Sequence, residues 1–312
     1  MFIKRVMKVF VLGLDGLEYN LVERWDLRNL KQEVYGKIDV PIGKSSGHPY
    51  TPEVWGAFLV GKPLIVDLNK MKHPYMIALR FLRFLRKYIR VSLGVGNKLK
   101  NLRNHVKNNL RKWGYLEEYG LGVFGIPLNK KTFLDLTKSK AINVPFYDHD
   151  GYTFYVIHLF NIGLFSKKMV IETFKAIYEA KKNMILKEIE NTENVDVVFA
   201  YLHFPDMLEH FGYKNQLLIK HHYFDLDRFV SILKQKIGES TVFIIVSDHG
   251  FNLKEGTHTD YGFYSSNLKL NPKPRKITDF YKLILARTSS SSSSVHICKK
   301  CTRKLVSRIP SL

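Results

Sequence analysis

Three short apolar runs constrain the fold of this chain more than any other feature. They read VFVLGL, DVVFAYL and VFIIV, and each is followed at its carboxyl end by a charged or imidazole side chain or by a Ser-Asp-His sequence. Runs of this length without polar alternation are typical of parallel strands buried on both faces. Together with the long helical patterns between them, they predict an α/β fold with a mostly parallel central sheet.

Two long helices are predicted between the later strands, over residues 168–190 and 217–237. Both segments repeat apolar residues at the 3.6-residue spacing of a helix with one buried face. The expected buried residues are Val170, Phe174, Ile177, Tyr178 and Ile185 in the first helix, and Phe224, Leu226, Phe229, Ile232 and Leu233 in the second.

The cysteines and the N-terminal sequence bear on localisation. The two cysteines, Cys298 and Cys301, both lie near the C-terminus, so no disulfide framework supports the body of the chain. The apolar run that ends at Asp15 is about seven residues long and lacks a small-residue cleavage site, which favours a first strand over a signal peptide. We therefore expect a cytoplasmic protein.

The charge balance predicts an anionic partner. The chain has 49 Lys and Arg against 28 Asp and Glu, a formal net charge of +21. Residues 62–112 hold fourteen Lys or Arg and one acidic residue, which suits contact with a polyanion or an anionic membrane surface. The alternative is a helical insertion that packs its apolar side on the core and solvates its charges.

The same patterns predict the domain organisation. Residues 1–285 are expected to form a single domain with a basic helical insertion at about 62–115. Residues 286–312 are Ser-rich and basic, with order fading after Lys282, and are expected to form a disordered tail. The C-x-x-C pair in this tail is half of a zinc pattern, and no second pair completes it.

Carboxylates and imidazoles cluster where the predicted strands end. In open α/β sheets, ligands bind beyond the carboxyl ends of the strands, so these side chains are expected to share one site. Aspartate oxygen and histidine nitrogen are ligands for zinc, and also for manganese when carboxylates dominate. The candidates are Asp15, Asp206, His210, Asp248, His249 and His258.

Thr51 is the candidate nucleophile. It precedes Pro52 and a helical apolar face, which predicts Thr51 at the N-cap and Pro52 at the first helical position. Capping a helix is a common role for threonine. Beside a metal site, its hydroxyl would also lie at a helix N-terminus that favours phosphate, so both roles are expected.

The sequence resembles the alkaline phosphatase superfamily, and within it the type I phosphodiesterase/nucleotide pyrophosphatase family. The resemblance rests on VLGLDG, TPEVWGAFLVGK, HFPDMLEH and SDHGF…GTHTDYGFYS, which occur in the family's order over most of residues 7–267. It implies an alkaline-phosphatase-like α/β/α sandwich with a mostly parallel central sheet. It also implies two divalent metal ions, usually zinc, with manganese as the alternative.

The resemblance assigns roles residue by residue. One ion would be held by Asp15, Asp248 and His249 together with Thr51, and the other by Asp206, His210 and His258. Thr51 matches the family's nucleophile, so the resemblance implies hydrolysis through a phosphothreonine intermediate. His203, His48 and residues 147–150 also carry ligand-type side chains, but the family's six ligand positions are already filled.

The substrate is less well defined by the sequence. A phosphodiester or pyrophosphate of a nucleotide or another phosphorylated small molecule is expected, with Asn69 and Lys62 as candidate phosphate contacts. A phosphomonoesterase of the same superfamily, or a non-catalytic polyanion-binding protein on this fold, are the alternatives. The sequence makes no prediction of the oligomeric state.

Overall fold

The computed structural model describes residues 7–43, 47–65, 128, 130–161, 163–192 and 194–289. Asn69 and most of the basic insertion predicted at 62–115 lie outside these residues, as do residues 290–312 of the predicted tail. Eight strands are labelled in chain order over the described residues. They are β1 (Val9–Asp15), β2 (Val34–Asp39), β3 (Ser139–Ile142), β4 (Val197–Pro205), β5 (Val242–Ser247), β6 (Phe251–Asn252), β7 (Thr257–His258) and β8 (Tyr261–Ser266).

Six of these strands form the central sheet, in the order β2-β8-β5-β1-β4-β3. The four strands from β5 to β3 are mutually parallel, while β8 runs antiparallel to β5 and to β2. At the centre of the sheet, Val9 of β1 pairs with Val197 on one side and Val242 on the other. The mostly parallel sheet predicted from the sequence is confirmed.

Nine helices are described and labelled in the same way. They are α1 (Tyr19–Arg24), α2 (Arg28–Lys31), α3 (Thr51–Val60), α4 (Phe133–Leu136), α5 (Tyr152–Asn161), α6 (Lys167–Glu190), α7 (Asp206–Gly212), α8 (Gln216–Ile237) and α9 (Asp279–Ser289). Residues 286–289 are helical in α9, so the tail predicted from residue 286 begins within a helix. Among the described residues, no helix is both long enough and apolar enough to cross a membrane.

Successive residues of each strand point to opposite sides of the sheet. Both faces are apolar, and helices cover both of them. On one face, Phe10 and Leu12 of β1 pack in a cluster with α6 and α8. On the other face, Val9 and Val11 pack in a second cluster with α3, α4 and α9. The result is the three-layer α/β/α sandwich that the family resemblance implied.

The two long helices form close to their predicted bounds, but the buried face of α8 differs from the prediction. In α6, all five residues predicted to be buried are buried. In α8, Phe224 is 45% exposed and Ile232 is 38% exposed, so their assignment to the core was wrong. The helix instead buries a stripe that includes Ile219, Tyr223 and Val230. Tyr223 can belong to this stripe because a tyrosine can pack its ring in the core while its hydroxyl finds a polar partner.

One partly buried histidine between α6 and α8 makes folding stability pH-dependent. The ring of His222 lies edge-on to Tyr178 and Phe204, with centroids 5.2 and 5.9 Å away. Its Nε2 is buried and has no hydrogen-bond partner among the described residues. Burial lowers the pKa of His222 to about 4, because an imidazolium would be poorly solvated there.

We predict that His222→Phe weakens the loss of stability on acidification between pH 6.5 and about 4. In that interval the unfolded state binds the His222 proton and the folded state does not, so wild-type stability falls as pH falls. Phenylalanine keeps the ring packing and removes the proton. Urea unfolding across this pH range measures the effect, with the neighbouring exposed His221 changed to Phe as the control. Equal pH dependence in wild type and His222→Phe would contradict the prediction.

Candidate metal centre and nucleophile

The candidate site lies at one edge of the sheet, where three adjacent strands end. The strands β5, β1 and β4 are neighbours, and their carboxyl ends lie on the same side because they are parallel. Asp15 is the last residue of β1, Asp206 directly follows β4 as the first residue of α7, and Asp248 directly follows β5. The fold therefore brings together three carboxylates that are far apart in sequence.

The first cluster consists of Asp15, Asp248 and His249. The Nε2 atom of His249 lies 3.2 Å from Oδ1 of Asp15 and 3.4 Å from Oδ2 of Asp248. All three side chains are completely buried. The Thr51 hydroxyl joins this cluster, since its Oγ1 lies 3.4 Å from the same Nε2 atom.

The second cluster consists of Asp206, His210 and His258. Oδ1 of Asp206 lies 3.2 Å from Nε2 of His210 and 3.4 Å from Nε2 of His258. The two imidazole nitrogens are 2.9 Å apart. Asp206 and His210 are one helical turn apart in α7, which places both side chains on one face as their spacing predicts.

The two clusters adjoin each other through stacked imidazoles. The rings of His249 and His258 are 3.7 Å apart between centroids and nearly parallel. Three overlapping sets of ligand-type atoms within 4.8 Å of one another result, namely Asp15–Asp248–His249, Asp206–His249–His258 and Asp15–His203–Asp206. The site is thus one continuous group of donors with two main centres.

The donor atoms fit divalent metal ions. Three buried carboxylate oxygens, Oδ1 of Asp15, Oδ1 of Asp206 and Oδ2 of Asp248, have no hydrogen-bond partner among the described residues. A buried anionic oxygen without a partner is strongly unfavourable unless a cation binds it. Donors on a tetrahedral zinc ion are about 3.3 Å apart for bonds of about 2.0–2.1 Å. The separations of 2.9–3.4 Å within each cluster match this spacing.

The electrostatics of the cluster also favour a bound cation. Burial and the charge of Asp15 raise the pKa of Asp248 well above its usual value. Burial opposes protonation of His249, but the negative charges of Asp248 and Asp15 raise its pKa well above the usual value. Both shifts have the same origin, which is negative charge confined in a buried space.

Gly16 allows Asp206 to pack closely against the chain directly after β1. Its φ of +78° is in the left-handed region, and a Cβ atom there would lie 2.7 Å from Cβ of Asp206. The amide of Gly16 also donates to Oδ1 of Asp248 at 3.4 Å. One oxygen of Asp248 is therefore held by the backbone, and the other faces Nε2 of His249.

Glu18 holds the turn that carries His249. Its carboxylate is buried and accepts hydrogen bonds from the amide of Phe251 at 3.0 Å and from the hydroxyl of Tyr261 at 2.8 Å. It lies so close to the chain that a Cβ atom on Gly250 would be 2.1 Å from its Oε2. On the other side, the ring Nδ1 of His249 lies 3.2 Å from the carbonyl oxygen of Gly250. With Nδ1 as donor, Nε2 presents its lone pair to the cluster.

Thr51 lies at the N-terminus of α3, one position later in the helix than the sequence predicted. Tyr50 is the N-cap residue, and Thr51 is the first helical residue. The prediction that Thr51 caps the helix was therefore wrong by one position. Its hydroxyl lies 3.4 Å from Nε2 of His249, so it belongs to the first cluster.

The remaining candidates have varied outcomes. Lys62 is exposed and follows the C-terminal end of α3, the end of the helix opposite Thr51. His48 lies 3.5 Å from Asp260, and both are exposed. Asp148 accepts hydrogen bonds from backbone amides and organises its own loop. His258, expected in a loop, lies in the two-residue strand β7.

Strand β4 contributes two side chains to the site that were not among its predicted ligands. Tyr201 and His203 alternate along this strand and point to the site, with the Tyr201 hydroxyl donating to Oδ2 of Asp15. Nε2 of His203 lies 3.8 Å from Asp15 and 3.9 Å from Asp206, and its Nδ1 contacts the hydroxyl of Thr153 at 2.8 Å. The sequence pattern that indicates these two site residues is a polar aromatic side chain at every second position of an otherwise apolar run.

The fold and site define an α/β protein with paired carboxylate–imidazole centres beside a threonine. A family model for type I phosphodiesterase / nucleotide pyrophosphatase matches residues 125–263. This match confirms the family resemblance predicted from the sequence, and the family is one of phosphodiesterase and nucleotide pyrophosphatase hydrolases. The matched range contains the whole second cluster as well as Asp248 and His249, while Asp15 and Thr51 lie before it.

Three solved structures resemble the chain at low identity. An inactive variant of murine ectonucleotide pyrophosphatase / phosphodiesterase 5, in complex with AMP, is 14% identical with a TM-score of 0.38. The match covers 78% of this chain, which spans 57% of the length of that structure. The PH0037 protein from Pyrococcus horikoshii is 9% identical with a TM-score of 0.46, covering 92% and 99% of the two chains.

The third is Ps i-CgsB in complex with k-i-k-neocarrahexaose. It is 12% identical with a TM-score of 0.44, and the match covers 91% of this chain and 72% of that one. No curated protein matches the chain.

We predict that Asp248→Asn stabilises the metal-free protein at neutral pH. Because the folded-state pKa of Asp248 is raised, its ionised form is less favourable folded than unfolded, and stability is lost as pH rises from the ordinary aspartate range. Asparagine has nearly the same shape and no charge. Chelator-treated Asp248→Asn should therefore unfold at a higher temperature in calorimetry than chelator-treated wild type. Added zinc should raise the unfolding temperature of the variant less than that of wild type.

The exposed Asp260 provides the control, since Asp260→Asn should leave both unfolding temperatures unchanged. A lower unfolding temperature for metal-free Asp248→Asn would show that this carboxylate stabilises the empty cluster, contrary to the prediction.

Proposed function

We propose that this chain is a two-metal hydrolase that cleaves phosphodiester or pyrophosphate bonds with Thr51 as the nucleophile. The observation that carries the proposal is the convergence of the Thr51 hydroxyl with two buried carboxylate–imidazole clusters. The match to the type I phosphodiesterase / nucleotide pyrophosphatase family supports the same reaction class.

Each cluster would hold one ion. Asp15, Asp248 and His249 with Thr51 form an oxygen-rich set that suits zinc or manganese. Asp206, His210 and His258 offer two nitrogens and one oxygen, a donor set typical of zinc. When bound, the ions would neutralise phosphoryl oxygens and lower the pKa of the Thr51 hydroxyl.

The protein's own residues orient the nucleophile. Thr51 is the first residue of the ten-residue helix α3, whose N-terminal amides and dipole favour a phosphate group. Its hydroxyl would lose its proton to solvent as the oxygen forms the bond to phosphorus, and the leaving-group oxygen would depart with the bonding electron pair and take up a proton from solvent. The resulting phosphothreonine is then hydrolysed by water, and two inversions leave net retention at phosphorus.

We infer that the substrate is a nucleotide or another phosphorylated small molecule. The net charge of +21 supports an anionic substrate or partner. Contact of residues 62–112 with a polyanion or an anionic membrane surface remains our hypothesis for that segment, which lies largely outside the described residues. The position of the cysteines supports a cytoplasmic location, and the division into residues 1–285 and a tail is likewise proposed.

A phosphomonoesterase is the second candidate, because the same clusters and nucleophile serve both ester classes. A non-catalytic polyanion-binding protein on this fold is the third, and it has no need of two bound ions. Turnover by metal-loaded protein separates the enzyme from the binding protein, and the preferred ester separates the two enzymes.

We predict that zinc- or manganese-loaded protein hydrolyses bis-p-nitrophenyl phosphate faster than p-nitrophenyl phosphate. Thr51→Ala removes the attacking oxygen and should lower kcat/KM on the order of 10³-fold or more. Thr51→Ser keeps a hydroxyl and should keep a measurable part of the activity. Thr173→Ala is the control, since Thr173 bonds to the backbone of α6 away from the site.

Each outcome selects one function. A faster monoester reaction that still requires Thr51 would replace the diesterase with a phosphomonoesterase. Full activity in Thr51→Ala would remove Thr51 as the nucleophile. Absence of turnover in protein that also fails to retain two ions would favour the binding protein.

A further inference from the structure

Asp15 presents its two carboxylate oxygens to different partners. Its Oδ2 accepts a hydrogen bond from the hydroxyl of Tyr201 on the neighbouring strand β4. Its Oδ1 has no hydrogen-bond partner among the described residues and lies 3.2 Å from Nε2 of His249. The Tyr201 hydroxyl therefore decides which oxygen of Asp15 faces the first cluster.

Strand pairing and side-chain packing fix the Tyr201 hydroxyl in place. Tyr201 pairs with Gly13 across the parallel ladder between β1 and β4, two residues before Asp15. Its ring is completely buried against His149 at 5.4 Å and Trp55 at 5.3 Å between centroids. A side chain confined in this way holds its hydroxyl at a defined position with little further loss of conformational entropy.

The contact with Trp55 links Tyr201 to the nucleophile. Trp55 lies one helical turn after Thr51 in α3, so both side chains lie on the same face of that helix. The ring of Tyr201 packs edge-on against Trp55, while its hydroxyl holds Asp15. One residue thus sets the position of a first-cluster carboxylate relative to the helix that carries Thr51.

We propose that Tyr201 is a positioning residue for the metal ion of the first cluster. It holds Asp15 so that Oδ1 faces His249 and Asp248, and it keeps this carboxylate aligned with α3. Outer partners that orient a metal ligand commonly contribute about 10–100-fold to metal affinity. Tyr201 donates no described hydrogen bond to the second cluster, so its effect is confined to the first ion. This inference rests on the two-ion assignment proposed above.

The test measures zinc affinity by competition with a chromophoric chelator. Tyr201→Phe removes only the hydroxyl and keeps the ring packed against Trp55. We expect two tight sites in wild type, and one unchanged site with one weakened about 10–100-fold in Tyr201→Phe. Tyr264→Phe is the matched control, since Tyr264 is buried in the same core cluster on β8, which β5 separates from β1, and it should bind zinc as wild type does.

A second pair of variants, with and without Asp206→Asn, identifies which of the two zinc sites is weakened. Asp206→Asn disables the second cluster and should leave one tight site, the first cluster. Adding Tyr201→Phe to this background should weaken that remaining site by the same factor. An effect of Tyr201→Phe in wild type that disappears in the Asp206→Asn background would place Tyr201 at the second cluster and overturn the inference.

The outcomes separate this inference from the proposed function. Two zinc sites with unchanged affinities in folded Tyr201→Phe would overturn the positioning role and leave the two-metal assignment standing. Wild-type protein that binds no zinc or manganese would overturn both. Circular dichroism checks the fold of each variant, and if Tyr201→Phe does not fold, Tyr201→Met removes the same hydroxyl with a more adaptable side chain.

Discussion

The confinement of negative charge at the carboxyl edge of the sheet is the constraint on which the site depends. Asp15, Asp206 and Asp248 are buried within one group of side chains, and each leaves one oxygen without a hydrogen-bond partner. Three carboxylates cannot all stay ionised in such a space without compensating positive charge. Imidazoles supply part of it, and the matched donor spacings provide the places where divalent cations would supply the rest.

The surrounding framework hydrogen-bonds one oxygen of each first-cluster aspartate and leaves the other facing Nε2 of His249. Tyr201 holds one oxygen of Asp15, and the amide of Gly16 holds one oxygen of Asp248. Glu18 fixes the turn after His249 from behind. Tyr201 lies in β4, while Gly16 and Glu18 lie in the segment between β1 and α1. The geometry of the cluster therefore depends on the packing of neighbouring strands as well as on the chain directly after β1.

The candidate ligands at the strand ends were predictable because they depend on local sequence patterns. Apolar runs ending in Asp15 and Ser247–Asp248 fix both the strands and the edge at which their ligands emerge. The spacing of Asp206 and His210 fixes a common helical face. The antiparallel strands β2 and β8 were not predicted, because their residues alternate weakly and their pairing joins segments more than 200 residues apart. The buried face of α8 was misassigned for a related reason, since only the packing partners decide which of two apolar faces turns inward.

The sequence by itself determined the α/β class, the ligand types, the candidate nucleophile and the family resemblance, because each follows from residue identity and short-range spacing. Only the tertiary structure decided that His249 serves as the common neighbour of Asp15, Asp248 and Thr51. It also decided that Tyr201 is a partner of Asp15 while Lys62 lies at the far end of α3. These facts depend on how strands and helices align in space, and distances between residues remote in sequence are set by the packing of the whole core.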